Sequence, residues 1–86
     1  MTLEGWRSHI DRIDTHILRL LNRRAKLAIR VGALKKRQGL RCFDPKREHE
    51  ILRYLTHTNP GPLSATAVRA IYREILRQVR SLERSV

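Results

Sequence analysis

Two basic side chains in the first half of the chain, Arg24 and Lys35, have a spacing that would let them hold one small anion between them. They lie eleven residues apart, close to three full helical turns, so on one helix they point the same way about 16 Å apart along the axis. Both side chains are long enough to reach towards a bound metabolite. The chemistry of such a pair is electrostatic, since fixed cations bind anions and stabilise negative charge that develops during a reaction.

Arg24 is the more informative of the two, because of the pattern in which it occurs. Apolar side chains recur from residue 3 to residue 34 at alternating spacings of three and four, which predicts a long helix packed along its length. This apolar seam consists of Leu3, Trp6, Ile10, Ile13, Ile17, Leu20, Leu27, Val31 and Leu34. The position that follows Leu20 in the seam is Arg24. A charge buried there would carry a desolvation penalty of several kcal/mol, so either the side chain extends to water or an anion binds to it.

A second charged cluster, Asp44, Arg47 and Glu48, lies in the segment "FDPKREHEIL". Asp44 followed by Pro45 is a typical helix start, with an N-cap and a proline at the first helical position. Taken alone, Asp44 is explained by capping, and Arg47 with Glu48 by an ordinary surface pair. Together with Arg24 and Lys35, they indicate a pocket with several cations and one or two hydrogen-bond acceptors.

The elements that must position these residues are all helical, and the fold class predicted is all-α. The first helix should cover residues 3–36 and the second residues 45–57, with "TNPGPLS" as the turn after it. Ser64 can cap a third helix. One face of that helix carries the apolar residues Val68, Ile71, Tyr72, Ile75, Val79 and Leu82. The sequence contains no alternation of apolar and polar residues long enough to predict a strand.

The length of the first helix predicts a homodimer. About 34 residues span on the order of 50 Å, and the two shorter helices cannot cover such a seam alone. Two long helices running antiparallel would bury it. Arg7 is 28 residues from Lys35, or roughly 42 Å along the helix, so one chain cannot bring both to one ligand. In the dimer, however, Arg7 of one subunit could join Arg24 and Lys35 of the other.

The composition limits the other function classes. The formal net charge of +11 favours anionic partners without choosing among them. A single cysteine excludes an intramolecular disulfide, and the scattered histidines make a metal site improbable by spacing. The start of the sequence lacks a signal-peptide pattern, and no apolar run is long enough to cross a bilayer. We therefore expect one cytoplasmic domain over residues 1–86, without a metal or cofactor.

Four motifs give the sequence a specific resemblance. R-x-x-I-D-x-I-D begins at Arg7, L-L-N-x-R ends at Arg24, V-G-x-x-K ends at Lys35, and D-P-x-R-E begins at Asp44. In this order, and over nearly the whole chain, the sequence resembles the all-helical chorismate mutases. The resemblance implies an intertwined homodimer that rearranges chorismate to prephenate, the branch step towards phenylalanine and tyrosine.

The resemblance also implies roles for the basic residues. Arg7 matches an arginine that reaches across the dimer to a substrate carboxylate, and Arg24 matches one that binds a carboxylate within its own subunit. Lys35 matches the lysine at the ether oxygen of the breaking C–O bond. Arg47 matches an arginine that lines the carboxylate end of the pocket.

Among the remaining matches, Glu48 corresponds to the acid that accepts a hydrogen bond from the ring hydroxyl, and Asp44 borders the same hydroxyl. Two positions depart from the family pattern. Glu83 occupies the place of a glutamine that donates to the ether oxygen, and a carboxyl group donates only when protonated. Activity should therefore be better at acid pH unless the pKa of Glu83 is raised. Val79 replaces a small polar residue, which removes one possible contact to a carboxylate.

Three alternatives stay open on the sequence. An isochorismate pyruvate lyase on the same scaffold needs a similar pocket and would yield salicylate and pyruvate. A small basic module that binds nucleic acid accounts for the charge, but it leaves Arg24 on the seam unexplained, and an aromatic content of 5% offers few stacking platforms. A structural coiled-coil adaptor would be stabilised by Arg24→Leu. Whether the domain stands alone, forms part of a fusion or needs an activating partner is also open.

Overall fold

The chain forms three helices and no strand within residues 1–84, the part that the structure, a computed structural model, describes. Helix α1 covers Leu3–Arg37, α2 covers Pro45–Thr58 and α3 covers Ala65–Arg84. The all-α prediction with one very long first helix is confirmed. The predicted ends of α1 and α2 are each one residue short.

The starts of α2 and α3 are set by the two predicted caps. The Asp44 side chain accepts a hydrogen bond from the backbone N–H of Arg47 at 3.0 Å, and Pro45 follows at the first helical position. The Ser64 hydroxyl accepts from the N–H of Ala67 at 3.1 Å. Each cap satisfies a backbone donor that has no partner inside the helix. The first cap also fixes where the charged residues of α2 begin.

Helix α3 holds the chain together. Both α1 and α2 approach it closely, whereas the backbones of α1 and α2 do not come close to each other within residues 1–84. The buried apolar side chains are Val68, Leu76 and Val79, all on α3. The predicted face was partly wrong, since it omitted Leu76 and included Ile71, which is 48% exposed. The packed face of α3 therefore includes Leu76, which is 7% exposed.

The apolar seam of α1 is not covered within one chain. Each of its nine apolar side chains is between 45% and 63% exposed. The molecule measures 55 × 24 × 15 Å, and its long dimension matches the length of α1. Contiguous apolar surface on this scale is rare on monomeric soluble proteins and marks an interaction face. No helix in the described part of the chain is both long and apolar enough to span a membrane.

Candidate functional site

A cleft of about 290 Å³ opens where the second half of α1, the start of α2 and the end of α3 meet. Six of the seven residues predicted for a site line it, and Arg7 is the exception. The charged residues of its wall are Arg24, Lys35, Asp44, Arg47, Glu48, Arg80 and Glu83, and the other wall residues are Leu27, Ala28, Val31, Cys42, Ile51, Leu76 and Val79.

Helix α1 supplies two cations to this cleft, as the spacing of eleven residues predicted. Arg24 is half-buried, and it forms no hydrogen bond or salt bridge with any residue in 1–84. Its guanidinium therefore keeps all its donors for an anion from outside. The Lys35 ammonium donates a hydrogen bond to the backbone carbonyl of Cys42 at 3.1 Å. That contact holds the ammonium at the mouth of the loop that leads into α2.

The first turn of α2 supplies Asp44, Arg47 and Glu48. The Asp44 carboxylate is partly used by its cap, and its residue is half-buried. The Arg47 guanidinium lies 3.6 Å from the Glu50 carboxylate and is 64% exposed, so it sits at the rim. Glu48 is more enclosed, with 24% of its side chain exposed. The cluster therefore divides into a cation at the rim and a carboxylate inside the cleft.

Arg80 on α3 is a wall residue that the sequence reasoning missed. Its Nε and Nη2 donate to the two carboxylate oxygens of Glu48 at 3.1 and 2.8 Å. The guanidinium carbon lies 4.2 Å from the centroid of the Phe43 ring. A signal existed in the sequence, because Arg80 lies one turn after Leu76 and one turn before Glu83 and so shares their side of α3.

Glu83 enters the cleft because α3 crosses α1 at a glycine. A Cβ atom at Gly32 would lie only 3.1 Å from the Cα, Cβ and carbonyl oxygen of Glu83. The absent side chain thus permits close approach of the two backbones. Burial raises the pKa of Glu83, and the charge of Glu48 acts in the same direction, while Lys35 and Arg24 oppose the shift. The carboxyl group is therefore easier to protonate than an ordinary glutamate.

Arg7 and Val79 are the two remaining residues that the sequence analysis singled out. Arg7 lies near the start of α1, 17 residues before Arg24 or about 26 Å along the helix. It is 62% exposed and pairs with Glu4 at 3.0 Å, so one chain alone does not bring it to the cleft. Its predicted role across a dimer interface stays a prediction. Val79 is buried in the wall and presents no polar group there.

The geometry suits a small dianion better than a metal ion. Within residues 1–84, no group of three histidine, cysteine or acidic side chains could hold a metal. The cleft instead combines unpaired and rim cations with a carboxyl group of raised pKa close to an ammonium. Such a set can bind two carboxylates and donate hydrogen bonds to an oxygen between them.

Comparisons with known proteins match almost all of the described residues. The model of the family "Chorismate mutase type II" matches residues 6–84. The chain is 43% identical over 88 residues to the bifunctional chorismate mutase/prephenate dehydratase of Aquifex aeolicus, and 40% identical over 78 residues to that of Neisseria gonorrhoeae. These matches cover 98% and 91% of this chain, but only 24% and 21% of the relatives. The chain thus spans about a quarter of the length of these relatives.

Solved chorismate mutase structures match this chain over nearly the full length of both chains. Form II of chorismate mutase from Thermus thermophilus superposes with a TM-score of 0.94 at 40% identity, covering 95% of this chain and 93% of that one. Chorismate mutase from Helicobacter pylori, solved in complex with prephenate, superposes with a TM-score of 0.89 at 29% identity, covering 96% and 90%.

Proposed function

Since the chain belongs to the type II chorismate mutase family, we propose that it rearranges chorismate to prephenate in the cleft between its three helices. The observation that carries the proposal is the half-buried Arg24 guanidinium, which forms no hydrogen bond or salt bridge within residues 1–84 and faces the same cleft as Lys35 and Glu83. The substrate is a dicarboxylate with an ether oxygen, which matches cations at the wall and donors between them.

The protein forms no covalent bond with the substrate in this reaction. One C–O bond of the substrate breaks while one C–C bond forms, and no group leaves the molecule. The rate therefore depends on holding a compact substrate conformer and on stabilising the negative charge that develops on the ether oxygen. Arg24 and Arg47 would bind the two carboxylates and so fix the conformer, because a guanidinium holds a carboxylate in a defined orientation.

Lys35 would stabilise the ether oxygen. Its ammonium has three N–H donors, and the Cys42 carbonyl accepts one of them at 3.1 Å. That bond orients the ammonium and leaves two donors for the substrate. Because the charge on the oxygen grows only as the C–O bond breaks, an ammonium fixed beforehand stabilises the transition state more than the bound substrate.

Glu83 would donate a second hydrogen bond to the same oxygen in its protonated form. The raised pKa supports this role, since burial favours the neutral carboxyl group. A dianionic substrate placed beside the group would favour the neutral form further. As pH rises through this raised pKa, the donor is lost and the carboxylate repels the developing charge. Activity should consequently fall from acid to neutral pH.

An antiparallel homodimer would complete the site. The exposed apolar seam of α1 supports it, because a second copy of the same face offers a surface of matching length and polarity. In that arrangement Arg7 of the partner would reach a substrate carboxylate in the cleft. We further propose that residues 1–86 form one domain that serves phenylalanine and tyrosine biosynthesis in the cytoplasm and needs no cofactor.

The deciding experiment measures chorismate consumption by the purified protein at about pH 5 and pH 7.5, with the product identified. Arg24→Ala should abolish turnover. The matched control, Arg23→Ala, changes the exposed neighbouring arginine and should keep turnover. Prephenate formed by the wild type and by Arg23→Ala would support the proposal. Salicylate and pyruvate from isochorismate would assign the lyase reaction instead, and turnover that survives Arg24→Ala would refute the assigned role of the cleft.

A further inference from the structure

We infer that Arg80 is a positioning residue, which fixes the orientation of the Glu48 carboxylate so that it can accept a hydrogen bond from the ring hydroxyl of the substrate. The inference rests on the proposed function, and it adds a residue that the family motifs in this sequence do not include. Arg80 acts through Glu48 and does not itself contact the reacting atoms.

The hydrogen bonds between the two side chains have the geometry for this task. One guanidinium donates to both oxygens of one carboxylate, at 3.1 and 2.8 Å. Two parallel bonds determine the plane of the carboxylate as well as its distance, which a single bond does not do. The side chains are 28% and 24% exposed, so the pair is screened from water more than an ordinary surface pair.

Phe43 fixes the guanidinium in turn. The Arg80 guanidinium carbon lies 4.2 Å from the centroid of the Phe43 ring, within the range of a cation–π contact. Phe43 directly precedes Asp44, the cap of α2. The ring thus lies just before α2 and Glu48 in its first turn, while Arg80 belongs to α3. The arginine therefore sets the position of the first turn of α2 relative to the end of α3.

Glu48 retains acceptor capacity after this pairing. An ionised carboxylate offers about four lone-pair sites, and Arg80 occupies one on each oxygen. The remaining sites can accept from a hydroxyl in the cleft. The positive charge of Arg80 also offsets the negative charge of Glu48, which lowers the repulsion that a dianionic substrate would meet from an unpaired carboxylate.

The same helix provides a matched control. Arg77 forms an equivalent two-point pair with Glu74, but both residues are more than half exposed and lie outside the cleft wall. Arg80→Met removes the guanidinium and keeps an unbranched stem, Arg80→Lys keeps the charge without the two-point geometry, and Arg77→Met removes a comparable pair elsewhere.

The test measures kcat/KM for two substrates, chorismate and the analogue that lacks the ring hydroxyl. For chorismate, Arg80→Met should lower kcat/KM about ten- to hundredfold, the range expected when a substrate contact is misplaced. Arg80→Lys should recover little, and Arg77→Met should match the wild type. For the analogue, wild type and Arg80→Met should agree within about threefold, because the contact that Arg80 orients is absent there.

Other results would overturn the inference. An equal loss on both substrates would assign Arg80 a structural role or a direct substrate contact, and full activity of Arg80→Lys would assign a role to charge alone. If circular dichroism shows that Arg80→Met does not fold, Phe43→Leu is measured in its place. This variant should lower kcat/KM by a smaller factor, and only for chorismate. A wild-type protein that does not convert chorismate would refute the proposed function and this inference with it.

Discussion

Replacing Gly32 by alanine should separate stability from activity, because the backbones of α1 and α3 approach each other closely at this glycine. Alanine gains about 0.8–1.0 kcal/mol over glycine in a helix interior. Its Cβ, however, would lie 3.1 Å from three atoms of Glu83, two of which are backbone. Those atoms cannot rotate away, so the last turn of α3 must retreat by about 0.3 Å or more to reach ordinary van der Waals distance.

The magnitude follows from these two opposing terms. Overpacking a close contact costs about 1–3 kcal/mol, so the free energy of unfolding should change by between roughly zero and a loss of about 2 kcal/mol. Activity should suffer more than stability. Since a misplacement of 1 Å can cost about a hundredfold, a shift of a few tenths of an ångström at Glu83 should lower kcat roughly tenfold.

The assay combines urea unfolding at one fixed protein concentration with kcat and KM for chorismate. Gly5→Ala is the control within the same helix, since the atoms nearest to a Cβ there belong to the flexible Met1 side chain and the Thr2 hydroxyl. It should gain stability and keep kcat. A Gly32→Ala protein that is more stable by the full helix propensity, with unchanged kcat, would refute the argument that this contact positions Glu83.

Four further predictions concern other parts of the molecule. Wild-type kcat/KM should fall as pH rises, because the Glu83 carboxyl group donates only while it is protonated, and its raised pKa should move this fall to higher pH than for an ordinary glutamate. Glu83→Gln should give a flat profile and exceed the wild type once Glu83 is ionised; parallel profiles would exclude the protonated donor. Arg24→Leu should abolish turnover while sedimentation still shows a dimer, and an active Arg24→Leu would remove the substrate-binding role. Ile17→Lys, in the middle of the exposed seam, should shift sedimentation to the monomer and reduce specific activity, with an intact dimer as the contrary result. Asp44→Ala should lower the unfolding free energy by about 1 kcal/mol through loss of the cap, as measured by urea unfolding, and an unchanged midpoint would show that the cap contributes little.

The parts of the site that sequence could reveal are those with a local pattern. Arg24 was visible because it interrupts an apolar repeat, and Lys35 because eleven residues return to the same side of a helix. Asp44 followed by Pro45 marked the start of α2 in the same way. Each of these signals needs only a few turns of one element, so helix geometry alone was sufficient.

The parts that sequence did not reveal depend on contacts between elements. Arg80 pairs with Glu48 across 32 positions of the chain, and no periodicity within α3 indicates that partner. Leu76 was omitted from the predicted face for a related reason, since the crossing with α1 at Gly32 decides which side of α3 is packed. Arg7 needs a second chain before its role can be assessed, so neither the sequence nor one protomer places it in the cleft.

The central place of α3 has a consequence for how the chain folds during synthesis. The ribosome releases α1 and α2 first, and the backbones of these two helices do not come close to each other within the described residues. A helix with an uncovered apolar face gains most of its stability from tertiary packing. Residues 1–64 therefore emerge before the helix against which α1 and α2 pack, and the apolar seam of α1 stays exposed even after α3 has packed, until another molecule covers it. Stable packing of this region should therefore lag behind its own synthesis, at least until residues 65–84 have left the exit tunnel.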